Sequence, residues 1–231
     1  MTLDRATVLA GISQELRDCA ELFRSLSADE LTTPTRCAGW TVRDVAGHVV
    51  GTVVDITEGR LEGQGTRSVT ARQARERAGH TGTRLADELA TAAPTLVDVL
   101  RSLPADSWEG PAPSNPNFTL GFAVEAIWYD AFVHGDDIRA ALSRASIRGD
   151  GLRCAVHHIA GYLEHRGWRP TTLLFHGMER IDIAGGGAVT DGDPLDFVLA
   201  ATGRTDPALI GLDSALNVYA DEIDASDGTE T

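Results

Sequence analysis

Apolar residues recur at Val8, Leu9, Ile12, Leu16, Leu22 and Phe23, a spacing that predicts a helix from about Ala6 to about Leu26. Ser25 to Pro34 supplies punctuation, and Thr35-Arg36-Cys37-Ala38-Gly39-Trp40 reads as a loop. Thr41 then stands three residues before Asp44, a pairing in which hydroxyl and carboxylate satisfy the free amides of a helix start. Val42, Val45, Val49 and Val53 follow at helical spacing and predict a second helix from about Val42 to about Glu58. Glycines and polar residues between Glu58 and Thr70 predict a long connection. A third helix is expected somewhere between Arg72 and Leu103, with Leu85, Leu89, Leu96, Val99 and Leu100 facing inward and Pro104 stopping it. Trp108 to Asn117, rich in proline, reads as a loop. A fourth helix is predicted from about Leu120 to about Leu142, carrying Phe122, Ile127, Phe132, Ile138 and Leu142. Four helices with at least one long crossover predict a bundle.

After about residue 148 the pattern changes. A helix near Leu152 to His165 precedes alternating runs at Thr172–His176 and Ile181–Ile183, which predict strands. Asp193-Pro194 opens a further helix that Gly203-Arg204 closes, and Ala215–Tyr219 is expected to be one more short strand. The fold class is therefore α+β: a helical domain over residues 1–148 and a small α+β domain over 149–231 with an acidic tail.

Composition narrows the function. With 42% hydrophobic and 23% charged residues the chain can bury a core. A net charge of −14 argues against a nucleic-acid partner, since phosphate binding needs clustered positive charge. Some of the acid lies in Asp221-Glu222-Ile223-Asp224 and the tail beyond, read as a solvated end. No apolar run approaches the ~20 residues of a membrane helix, and no secretory signal opens the chain, so the cytoplasm is the expected compartment. Cys19, Cys37 and Cys154 are odd in number and far apart, which suggests neither a disulfide framework nor a zinc knuckle. All 20 basic residues are arginine, which excludes Schiff-base lysine chemistry and a P-loop lysine.

Candidate chemistry gathers on the fourth helix. Asp130 and His134 are four residues apart, one helical turn, and share a face as a two-ligand clamp for a borderline metal. Asp137 stays near that face, Asp136 points elsewhere as a surface charge, and Glu125 is about half a turn out of phase. A third ligand has to come from another element, and His48 lies mid-helix among valines, where Gly47, Gly51 and Thr52 leave room beside the imidazole. Spacing alone fits equally a hydrogen-bonded pair and a satisfied core histidine. His80, His157, His158 and His165 could supply a competing site but are expected to be exposed.

The segment Cys37-Ala38-Gly39-Trp40-Thr41-Val42-Arg43-Asp44-Val45-Ala46-Gly47-His48 resembles the metal-histidine motif of the mycothiol-dependent maleylpyruvate isomerase family, a branch of the DinB-like metalloenzymes. Asp130 to Arg139, with His134-Gly135-Asp136-Asp137-Ile138-Arg139, resembles that family's second motif. Ala201-Thr202-Gly203-Arg204-Thr205-Asp206-Pro207 is similar to the glycine-arginine element of its smaller domain. The family's best-known member has a glutamate where this chain has Asp130; aspartate is shorter but still a hard oxygen ligand.

The resemblance implies a DinB-like four-helix bundle followed by a sterol-carrier-like α+β domain. It implies one divalent metal, zinc first with nickel or cobalt as alternatives, on His48, Asp130 and His134. It implies mycothiol, an actinobacterial thiol, as cosubstrate, and a small-molecule electrophile as its target, in cis–trans isomerisation or S-transfer. Asp137 would orient a ligating histidine or move a proton, Arg204 would hold a carboxylate, and Trp40 and Arg43 would line the pocket. Two other functions fit the same pattern: a metal-free carrier of lipids or other small molecules, and a thiol-sensing regulatory module. The oligomeric state is left open.

Overall fold

The computed structural model describes residues 3–219, which form two compact units, 3–151 and 152–219. The acidic run Asp221-Glu222-Ile223-Asp224 and the tail after it lie outside the described residues.

In the first unit, helix α1 spans Arg5–Arg24 and α2 spans Val42–Thr57. The sequence forms α2 where its polar start demands it: Thr41 Oγ1 accepts from the Asp44 amide, and the Asp44 carboxylate accepts from the Thr41 amide at 2.8 Å. The helix expected somewhere between Arg72 and Leu103 is α4, Gly82–Ser102, and a further helix that the apolar pattern does not mark, α3, Arg67–Glu76, precedes it. Thr81, whose hydroxyl caps Arg84, restarts the chain as α4, and α3 begins inside the stretch expected to be a connection. Helix α5 spans Leu120–Ala141.

Helix α1 packs on α4 and α5, and α2 packs on the same two, so these four form a bundle with α3 laid against α2. Val8, Ile12, Leu16, Phe23, Val45, Val50, Leu85, Leu89, Leu96 and Ile138 are buried between them. Removing this apolar surface from water is the main force holding the bundle together. Val99, expected to face inward, is 42% exposed, because it falls at the edge of the stripe that Leu89, Leu96 and Leu100 define.

The second unit holds α6 (Asp150–His165, its first turn at the unit boundary), strands β1 (Thr171–Phe175), β2 (Ile181–Ile183) and β3 (Ala188–Gly192), and α7 (Pro194–Ala201). Strand order is β2-β1-β3, with β2 antiparallel and β3 parallel to β1. Both Ile183 and Ala188 pair with Thr171, so the chain passes around the start of β1 in four residues. Gly187 makes this possible: a Cβ there would sit 2.3 Å from the Pro170 carbonyl oxygen. Strand β3 was not evident from the sequence. The strand expected at Ala215–Tyr219 is instead a 3-10 turn, Ser214–Leu216, capped by Asp213. His157 and His158, expected to be exposed, are buried, and His157 Nε2 reaches Glu179 Oε1 at 2.8 Å. The chain is α+β, as its pattern indicates, and no described helix is long and apolar enough to cross a membrane.

Candidate metal centre

His48 projects from the middle of α2, and Asp130 and His134 project from one face of α5. The bundle brings them together. His48 Nε2 lies 3.5 Å from Asp130 Oδ2, and His134 Nε2 lies 3.4 Å from Asp130 Oδ1. The two imidazoles stand nearly perpendicular with centroids 5.0 Å apart. One donor atom from each residue falls within 4.8 Å of the others.

Each histidine is held by its other nitrogen. His48 Nδ1 is 2.8 Å from Gln73 Oε1, and His134 Nδ1 is 3.1 Å from Asp137 Oδ2. Asp137, a carboxylate, accepts the proton on His134 Nδ1, Gln73 contacts Nδ1 of His48, and the Nε2 atoms of both rings face a common point. Two imidazole nitrogens and a carboxylate oxygen are a donor set suited to a divalent first-row metal, so the residues fit the ion the motifs imply.

The electrostatics agree. Burial raises the Asp130 carboxyl, but His134 and His48 outweigh it and hold the group well below the usual carboxylate range. Burial lowers His134, but Asp130, then Asp137 and Cys37, drive it well above its ordinary value. The cluster thus concentrates negative charge that a proton or a cation must balance.

Around it, Arg36 from the loop before α2 reaches Asp136 Oδ2 at 2.7 Å and, through Nε, Asp137 Oδ1 at 3.1 Å. Asp136 is therefore no surface charge: it is 1% exposed, drawn inward by this guanidinium. Cys37, which its spacing to the other cysteines does not single out, donates to Asp137 Oδ2 at 3.2 Å and lies 3.9 Å from His134 Nδ1. Cys37, His134 and Asp137 form the second potential metal-holding group among the described residues. It would use the opposite nitrogen of the same ring, whose proton Asp137 already accepts. The presence of Cys37 in the stretch that leads to His48 was the available signal; Arg36, Gln73 and the inward Asp136 had none, since no local pattern marks them.

Trp40 packs edge-on against His48 with centroids 5.6 Å apart. Arg43 donates to the Ala78 carbonyl at 3.2 Å, toward the α3–α4 connection. Glu125 is fully buried and accepts from the Leu3 amide, off the ligand face. Arg204 belongs to the second unit, where it lines a cleft of about 370 Å³ with Gly203, Asp206, Ser214 and Asn217.

The sequence profile described as the mycothiol maleylpyruvate isomerase N-terminal domain matches residues 12–139, more than half of the chain. The chain belongs to that family. The matched stretch runs from α1 to α5 and contains His48, Asp130, His134, Asp137, Trp40 and Arg43. Two solved structures are similar. One is the crystal structure of the mycothiol-dependent maleylpyruvate isomerase, with TM-score 0.61 and 15% identity over 88% of this chain and 90% of that one. The other is a histidine-to-alanine mutant of that isomerase, with TM-score 0.57, 14% identity and the same coverage. At these identities the likeness establishes the shared fold. A search of the curated proteins finds no match.

Proposed function

We propose that this family member holds one divalent metal ion on His48, Asp130 and His134 and uses it to activate a low-molecular-weight thiol, mycothiol by family, toward an electrophilic small molecule. The observation that carries the reading is the convergence of two Nε2 atoms and a carboxylate, with both Nδ1 atoms already bonded to acceptors. Zinc is the first choice, with nickel and cobalt compatible with the same donors.

A free thiol has a pKa near ~8.5, so only a few per cent is thiolate at neutral pH. An ion bound here supplies a Lewis-acid position that favours the thiolate. The chain's own residues then do the holding. Asp137 keeps His134 in register, Gln73 does the same for His48, and Trp40 covers one side of the His48 ring. Arg204 is the proposed carboxylate-binding group of the second unit.

The reaction class follows from the thiol. The sulfur bonds to one carbon of a conjugated double bond, and the π electrons move to the attached carbonyl oxygen. Rotation about the resulting single bond and return of the pair expel the thiolate, giving cis–trans isomerisation. Protonation before expulsion leaves the thioether, giving S-transfer. Neither course needs an oxidant.

The test is elemental analysis of protein expressed in metal-replete medium, followed by mass spectrometry with mycothiol and candidate electrophiles such as maleylpyruvate. One ion per chain and a mycothiol-dependent product are expected. A folded protein that carries no metal would overturn the reading.

A further inference from the structure

We propose that Gln73 and Asp55 are positioning residues that lock His48 in the tautomer with its proton on Nδ1, leaving Nε2 to receive a metal ion. The inference rests on the metal-centre reading above and extends it to two residues on the far side of the ring.

A carboxamide has a donor end and an acceptor end, so Gln73 selects one tautomer or the other according to which end faces the imidazole. The structure fixes the choice one step further out. Gln73 Nε2 donates to Asp55 Oδ2 at 2.7 Å, and Asp55 is fully buried. That carboxylate also accepts from Arg60 Nε at 2.8 Å, Arg72 Nη2 at 2.5 Å and Gln64 Nε2 at 3.2 Å. Burial raises its pKa, but the hydrogen bonds from Arg72, Gln73, Arg60 and Gln64 prevail and hold it at about 2. Asp55 is thus an ionised group that accepts and never donates. A flipped Gln73 could still donate to His48 Nδ1 in the other tautomer, but it would exchange its bond to the buried Asp55 carboxylate for a repulsive contact between two oxygens, and that difference disfavours the flip. The amide therefore presents Oε1 to His48, at 2.8 Å. The Thr52 hydroxyl, 3.4 Å from the same oxygen, can donate to it, but a hydroxyl accommodates either amide orientation, so Asp55 is what sets the choice. On the other side of the ring Asp130 Oδ2 lies 3.5 Å from Nε2, a longer and weaker contact than the 2.8 Å one at Nδ1.

Helix α3, outside the four-helix bundle, is the element that delivers the lock. Its buried residues are Gln73 and Ala74. It reaches α2 because Gly47 and Gly51 flank His48. A Cβ on Gly51 would lie 2.4 Å from Gln73 Cβ, and one on Gly47 would lie 3.2 Å from Arg77 Cβ. The two ligating histidines are thereby set differently: His134 by a carboxylate directly, His48 by a neutral amide that a carboxylate orients.

The full chain and zinc suffice for the test. Nitrogen-15 NMR of the metal-free protein at mildly alkaline pH reads the His48 tautomer, and the Nδ1–H form is expected. Gln73→Met, which removes the acceptor, is expected to lose that preference and to bind zinc ~10- to 100-fold more weakly in a chelator competition. Asp55→Asn, which gives Gln73 a donor to turn toward, is expected to yield mixed tautomers and weaker zinc binding with Gln73 intact. A purely structural role would lower the melting temperature and leave tautomer and zinc affinity of the folded protein unchanged, and that result overturns the proposal. An Nε2–H tautomer in the unsubstituted protein overturns it without any variant, even if neither variant folds. A protein that binds no zinc yet shows the Nδ1–H form would sink the metal reading and leave the lock standing.

Discussion

His134 Nδ1 donates to Asp137 Oδ2 across 3.1 Å, and Asp137 in turn accepts from Arg36 Nε through its other oxygen, also at 3.1 Å. One carboxylate thereby ties a candidate ligand on α5 to the loop that leads into α2. Replacing Asp137 by Asn weakens the acceptor and lets the amide turn its donor toward the ring. Zinc affinity is expected to fall ~10- to 100-fold, read by competition with a chromophoric chelator. Unchanged affinity in the folded variant would show that Asp137 plays no part in holding the ring.

His48→Ala and His134→Ala should each abolish stoichiometric metal in elemental analysis, with circular dichroism still helical. Loading should also depend on pH. Asp130 and Asp137 keep His134 protonated to well above its ordinary value, against the effect of burial. That proton must leave for Nε2 to ligate, so occupancy falls as pH is lowered. Zinc titrations across pH would show this as a proton released on binding.

Glu15 offers a stability test away from the site. Burial raises its carboxyl to about 7 from 4.5, although Trp128 donates to it at 3.3 Å. The acid is more easily protonated folded than unfolded, so the neutral form's stability is fully present below 4.5 and is lost as pH rises through about 7. The full shift corresponds to about 3 kcal/mol as an upper bound. Glu15→Gln keeps the acceptor for Trp128 and should melt above the unsubstituted protein in alkaline buffer, with the difference vanishing in acid. Parallel melting curves at all pH values would refute this.

Gly51→Ala should harm both the fold and the site. The new methyl meets Gln73 Cβ at 2.4 Å, so α3 has to move away from α2. A loss of about 1–3 kcal/mol in denaturant unfolding is expected, together with weaker zinc binding. Gly59→Ala is the control for a general glycine effect: no atom lies within 4 Å of its Cβ position, although its φ of +75° adds local strain. Zinc affinity equal to that of the unsubstituted protein in folded Gly51→Ala would separate α3 from the site.

The sequence by itself determined the parts that depend on short-range periodicity. Valines three and four apart and the Thr41–Asp44 box made α2 legible, and the four-residue step from Asp130 to His134 put both on one face of α5. The place of His48 among valines and small residues on α2 offered the third candidate ligand, which the motif resemblance then favoured. The tertiary structure alone decided what surrounds them. Gln73 reaches His48 across 25 positions of chain, and Arg36 reaches Asp137 across 101, so no local spacing encodes either contact. Asp136 reads as a surface charge until Arg36 is seen to draw it in. The apolar stripe of α4 is legible, but α3, which buries only Gln73 and Ala74, carries no such stripe to mark it. Periodicity reports which side of an element is buried; it does not report which distant polar group meets it there, because that pairing is set when whole helices pack.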